Sequence, residues 1–116
     1  MFFIQSFGYE VKTGQSAPFQ EWLIEHEGEW RAAMPEGTEY IGTFAAVQTS
    51  EKRAGNCFTL YRLDSYGAQD RLAAAMKDGP LAKIMADSSH FIDWDSQNWS
   101  NILLKSWVDA TVWDPA

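Results

Sequence analysis

The chain has 116 residues and a mass of 13.1 kDa, which fits a single domain spanning 1–116 and leaves no room for two. Hydrophobic residues make up 46% and charged residues 22%, a globular composition, and six Trp, seven Phe and four Tyr accompany a formal charge of −7. The nine basic residues are scattered, with only Lys52-Arg53 adjacent, which argues against nucleic acid or anionic membrane as a partner because both need clustered Lys and Arg. The single Cys57 excludes an intrachain disulfide and zinc-finger spacing, and its strand-like surroundings make it a small core residue. Met1-Phe2-Phe3-Ile4 is too short an apolar run for a signal peptide or a membrane span, so a cytoplasmic protein is expected.

Phe2 to Val11 reads as a strand ended by Lys12-Thr13-Gly14. Large apolar residues occupy both alternating sets, which implies that both faces of the sheet are covered. Ser16-Ala17-Pro18 starts a helix, with Ser16 as N-cap and Pro18 in the first turn. Phe19, Trp22, Leu23, His26, Trp30 and Ala33 form one stripe of that helix, and Glu21, Glu25 and Glu29 lie on the opposite side. Met34-Pro35-Glu36-Gly37 stops it.

Tyr40 to Val47 and Cys57 to Leu63 read as two strands of a long-looped hairpin. Asp64-Ser65 offer caps for a second helix from Tyr66 to Met76, interrupted at Gly79-Pro80 and continued over Leu81 to Ala86. Phe91 to Asn98 is irregular, and Ile102 to Val108 is the last strand, extending toward Val112. The order β-α-β-β-α-β is that of a ferredoxin-like α+β fold with one antiparallel sheet. Its helix-free face would be bare, and bulky apolar residues there point to a homodimer with two sheets face to face.

The chain resembles the dimeric α/β-barrel superfamily, within it the NIPSNAP-like group and its antibiotic-biosynthesis-monooxygenase-like and EthD-like relatives. The resemblance rests on a strand starting at residue 2, on the Gly14-to-Pro18 lead into an aromatic helix, on Leu60-Tyr61-Arg62-Leu63-Asp64-Ser65, and on the Asp78-Gly79-Pro80-Leu81 break. It implies a paired barrel. The activities it implies are small-molecule enzymes such as cofactor-free monooxygenases, lactone isomerases and polyketide cyclases, together with heme-degrading or heme-containing members. Many members have no known activity.

His26, on the apolar stripe between Trp22 and Trp30, is the candidate general base, because a neutral imidazole in a cleft accepts protons near pH 7. A half-buried histidine bonded to a tyrosine or a carbonyl is the plainer reading. Tyr9, Tyr40 and Tyr61 could donate to a developing oxyanion, Tyr61 foremost, or could simply be core rings. Arg62 could bind a substrate carboxylate, pair with an acid of a partner subunit, or be a solvated edge residue. Trp22, Trp30, Tyr9, Arg62 and His90 are the candidate substrate contacts. His90 could instead bond the last carbonyls of the second helical region.

Some heme-degrading relatives bind iron through a histidine near this region. Here the Gly79-Pro80 break puts Ala86 near that place and His90 one turn later. Glu21, Glu25, Glu27 and Glu29 read as a solvated face rather than a metal site, with Glu27 placed to pair with Arg31. Trp94, Trp99, Trp107 and Trp113 could line a ligand mouth or cover a dimer seam. No phosphate-cradling loop, dinucleotide fingerprint or nucleophile elbow is present. The expectation is an enzyme acting on a hydrophobic or aromatic small molecule without an organic cofactor, isomerase-, cyclase- or monooxygenase-like. The alternatives are a non-catalytic binding protein and a heme-binding member.

Overall fold

A computed structural model describes residues 1–51 and 55–108. Its elements are β1 (Phe3–Tyr9), α1 (Ser16–Ala32), β2 (Thr38–Ala45), β3 (Cys57–Leu63), α2 (Ala68–Lys77), α3 (Pro80–Ser88), a short 3-10 turn (Ser89–Phe91) and β4 (Ser100–Lys105). The sheet has four strands in the order β2-β3-β1-β4, and every neighbouring pair is antiparallel. This is the ferredoxin-like α+β arrangement, with the second helical region divided in two.

The register decides which side chains meet the helices. Phe3, Gln5, Phe7 and Tyr9 stand opposite Leu63, Tyr61, Thr59 and Cys57, and this set faces the helical layer. Phe3, Tyr40, Tyr61 and Leu63 pack there against Trp30 of α1, Leu72 of α2, and Leu81 and Ile84 of α3. Each large side chain buried in this way contributes about 1.5–3 kcal/mol relative to leaving it exposed.

The opposite face carries no helix. Ile4, Phe58 and Leu60 are only half-buried on it, and Phe44, Ile102 and Leu104 are 47%, 49% and 52% exposed. The apolar residues on both alternating sets of the strands therefore occupy one covered and one uncovered face.

Helix α1 buries Phe19 and Trp30 and half-buries Trp22, Leu23, His26 and Ala33, while Glu21, Glu25 and Glu29 are exposed. Ser16 is inside the helix rather than its cap. Gln15 holds the cap position and uses only its carbonyl, which accepts from Phe19 N at 2.9 Å. Helix α2 begins at Ala68, later than Tyr66, because the Asp64 carboxylate that would cap it accepts from Arg71 Nη2 at 3.1 Å instead. Gly79, at φ +94, separates α2 from α3 in a backbone region that only glycine enters freely, and Pro80 opens α3.

Strand β4 starts at Ser100 and ends at Lys105, so its pairing with β1 precedes the expected segment. Ser106 to Val108 is exposed, and Val112 lies outside the described residues. Among the described residues, no helix is long and apolar enough to cross a membrane.

Candidate functional site

Between the helix side of the sheet and helices α2 and α3 lies a cavity of about 200 Å3. Phe7 and Tyr9 of β1 and Thr59 and Tyr61 of β3 form its floor, Trp30 of α1 one side, and Met76 of α2 with Met85 and Ser88 of α3 the roof. Ile92, Trp94 and Trp99 close the end, with Trp94 stacked on Trp99 at 5.3 Å and Trp99 on Tyr9 at 6.3 Å. The indole N–H of Trp94 donates to the Ser89 carbonyl at 2.9 Å and that of Trp99 to the Ser96 carbonyl at 2.7 Å, which fixes both rings. None of the lining side chains is charged.

An apolar cavity of about 150 Å3 is enough to hold benzene, so this one has the scale of a single or fused double ring. A larger cleft of about 660 Å3 beside Gly14 is open and polar, with Glu10, Lys12 and Asp93 on its walls. The smaller, half-open apolar space has the character of a small-molecule site.

A chain of hydroxyl groups leads away from the cavity wall. Tyr9 Oη lies 2.7 Å from Thr59 Oγ1, Thr59 Oγ1 lies 3.1 Å from Thr43 Oγ1, and Thr43 Oγ1 lies 2.7 Å from Tyr40 Oη. Tyr40 Oη donates to Glu27 Oε2 at 2.7 Å. A strand places residues three apart on opposite faces. The irregularity between Tyr40 and Gly42 inserts Ile41 and returns Thr43 to the face that Tyr40 occupies. Glu27, on the inner edge of α1, is the outer end of the chain, with its side chain 31% exposed and Arg31 Nη2 4.0 Å away.

Burial raises the hydroxyls of Tyr9, Tyr40 and Tyr61 well above the ordinary phenol range, so all three are neutral at physiological pH. For Tyr40 the bond from Thr43 opposes the rise and Glu27 adds to it. For Tyr61 the neighbouring Trp30 indole opposes it. Burial also pushes the Cys57 thiol up to about 11, which makes it a protonated core group beside Tyr9 rather than a nucleophile. The buried Trp30 Nε1 makes no hydrogen bond of full geometry.

The candidate residues from the sequence divide sharply. Tyr9, Trp30 and Tyr61 line the cavity together. His26 does not: its ring stacks on Trp22 at 4.8 Å and its Nδ1 donates to the Trp22 carbonyl at 2.8 Å, one turn back along α1. Trp22 stands behind the lining, among Phe19, His26 and Phe91 and edge-on to Trp30. Arg62 points to the helix-free face, with its guanidinium 4.5 Å from the Phe2 ring centre and its backbone opposite Glu39. His90 is exposed on the 3-10 turn. Trp94 and Trp99 stand at the mouth, Trp107 is fully exposed, and Trp113 lies outside the described residues.

The sequence reading missed Glu27 as an inward partner, and Thr43, Thr59 and Ser88 altogether. Thr59 shares the strand alternation of Tyr61 and could have been found by it. Thr43 could not, because the inserted residue breaks that alternation.

No protein-family model matches the chain, and no curated protein matches it. Solved structures do. A NIPSNAP family protein from Agrobacterium tumefaciens superposes with TM-score 0.65 at 12% identity, covering 93% of this chain and 89% of that one. A dimeric ferredoxin-like protein of unknown function from Thermobifida fusca gives 0.57 at 10% identity over 90% of each chain. A heme degrader from Mycobacterium tuberculosis, which has two hemes bound in its active site, gives 0.51 at 15% identity over 94% and 99%. The chain therefore has the ferredoxin-like fold shared by NIPSNAP family proteins and by that heme degrader.

Proposed function

We propose that the protein binds a neutral aromatic small molecule of one or two fused rings in the cavity and acts on it without an organic cofactor. The observation that carries this reading is the lining itself, aromatic rings and two Met side chains with the hydroxyls of Tyr9, Thr59, Tyr61 and Ser88 and no charged group. The neutral Tyr61 hydroxyl can hydrogen-bond a ligand carbonyl oxygen as it gains negative charge, and the α-proton released in an enolisation would pass to solvent, since no lining side chain is a base. That favours isomerase- or cyclase-type chemistry over the monooxygenase-like alternative.

A neutral ketone such as 2-tetralone tests it. Saturable binding that is abolished by filling the cavity with Met85→Trp supports the site, and absent or unaffected binding refutes it. Exchange of the ketone's α-protons in heavy water, above background and reduced by Tyr61→Phe, supports catalysis. Binding without exchange supports a binding protein instead.

The residues present do not fit heme. No histidine borders the cavity, and a porphyrin is far larger than the roughly 200 Å3 between sheet and helices. A second copy of the chain as partner is supported by the exposed Phe44, Ile102 and Leu104 and by the dimeric state of the Thermobifida fusca neighbour. Sedimentation at twice 13.1 kDa, reduced to the monomer by Leu104→Asp, is the expected result. A monomer in the unaltered protein refutes it.

A further inference from the structure

The hydroxyl chain has one direction. Glu27, as a carboxylate, can only accept, so the 2.7 Å contact spends the single proton of Tyr40. The contact between Thr43 and Tyr40 must then be donated by Thr43. With the Thr43 proton spent, the 3.1 Å contact is donated by Thr59, and the 2.7 Å contact with Tyr9 is donated by Tyr9. Each hydroxyl carries one proton, so fixing the outermost bond fixes all of them. Tyr9 therefore has no proton left for the cavity and offers only lone pairs. The Cys57 thiol and the Tyr61 hydroxyl also lie near it.

We propose that Glu27, acting through Tyr40, Thr43 and Thr59, sets the polarity of the cavity, so that it selects neutral aromatic ligands carrying a hydroxyl or N–H donor that Tyr9 accepts. This deepens the cavity reading above and rests on it. Tyr9 touches the ligand, whereas Glu27, Tyr40 and Thr43 are positioning residues. Removing the carboxylate frees the proton of Tyr40. The chain can then run in reverse, and Tyr9 can donate into the cavity.

The test is calorimetric titration of 2-naphthol and its methyl ether, 2-methoxynaphthalene, which differ in the donor. The unaltered protein prefers the naphthol by about three- to tenfold, the range of one net neutral hydrogen bond. Glu27→Ala, at a half-exposed position, and Thr43→Val bring the two affinities toward parity, chiefly by tightening the ether. General loosening of the site would weaken both ligands, so tighter ether binding separates the relay from simple damage. A preference unchanged in both variants, or no preference in the unaltered protein, overturns the relay while leaving the cavity reading intact. If neither probe binds the unaltered protein, the cavity reading fails and the relay fails with it.

Discussion

Tyr40→Phe is the sharpest test of how the hydroxyl chain holds the fold. The substitution keeps the ring, which is 1% exposed and stacked on Trp30 at 4.2 Å, and removes only the hydroxyl. Two bonds of 2.7 Å are lost, one to Glu27 and one from Thr43. A bond to a charged partner is worth about 1.5–3 kcal/mol when buried. The Glu27 side chain is 31% exposed and regains water, so about 1 kcal/mol is expected from that bond. Thr43 is half-buried and loses its acceptor, adding about 1 kcal/mol. The total of about 2 kcal/mol corresponds to a fall of roughly 8 °C in Tm for a domain of this size. Chemical unfolding of Tyr40→Phe, Glu27→Ala and the double variant should give a coupling of about 1 kcal/mol. Tyr61→Phe is the control, because its hydroxyl is outside the chain and meets only the Trp30 indole weakly, and it should cost less. Additive single variants, or a Tyr61→Phe cost above that of Tyr40→Phe, would refute the chain as a structural unit.

High pH should unfold the protein. Tyr9, Tyr40 and Tyr61 are raised by burial and Cys57 is pushed up to about 11, so the folded state keeps protons that the unfolded chain releases. The stability they contribute is complete below about pH 8.5 and is lost as pH rises, at up to about 1.4 kcal/mol per pH unit for each retained proton. Urea midpoints between about pH 8 and pH 11 read this, and midpoints that hold constant would contradict it. Gly55→Ala should cost about 1–3 kcal/mol, since Gly55 has φ +84 and an added Cβ would stand 2.7 Å from the Tyr9 carbonyl oxygen, a backbone atom that cannot swing aside. A variant as stable as the original in thermal unfolding would show that the loop shifts freely there.

The sequence made the fold readable because its signals are periodic and local. Phe19, Trp22, Leu23, Trp30 and Ala33 mark one face of α1 by spacing alone, and Gly79-Pro80 marks the division of the second helical region by backbone chemistry. Element ends were less legible, because they depend on partners distant in sequence. Asp64 looks like a helix cap until Arg71 and the Gly37 turn claim it. The site was half legible. Tyr9, Trp30 and Tyr61 follow from alternation and periodicity, whereas His26 shares the stripe of Trp30 yet stops one turn short of the cavity and folds back on Trp22. Glu27 escaped because carboxylates four apart read as a solvated face. Only the inserted Ile41 and the resulting position of Tyr40 show that this one turns inward.

The aromatic richness and the acidity of the chain bear on the same question, namely what kind of molecule enters. An anion in the cavity would lose its hydration without meeting a positive side chain, because none lines the walls and Arg62 is on the other face of the sheet. The surface charge of −7 opposes its approach as well. A cation would be drawn to the surface, yet inside it would find the Tyr9, Thr59, Tyr61 and Ser88 oxygens and aromatic faces, with no carboxylate to neutralise it. The polarity that remains is carried by the neutral hydroxyls of the lining. Glu27 acts on them from outside, at the far end of a chain whose bonds measure 2.7 to 3.1 Å. A negative charge kept at the surface can thus orient an apolar interior without entering it. The ligand this favours is neutral and flat, with a group able to donate toward Tyr9.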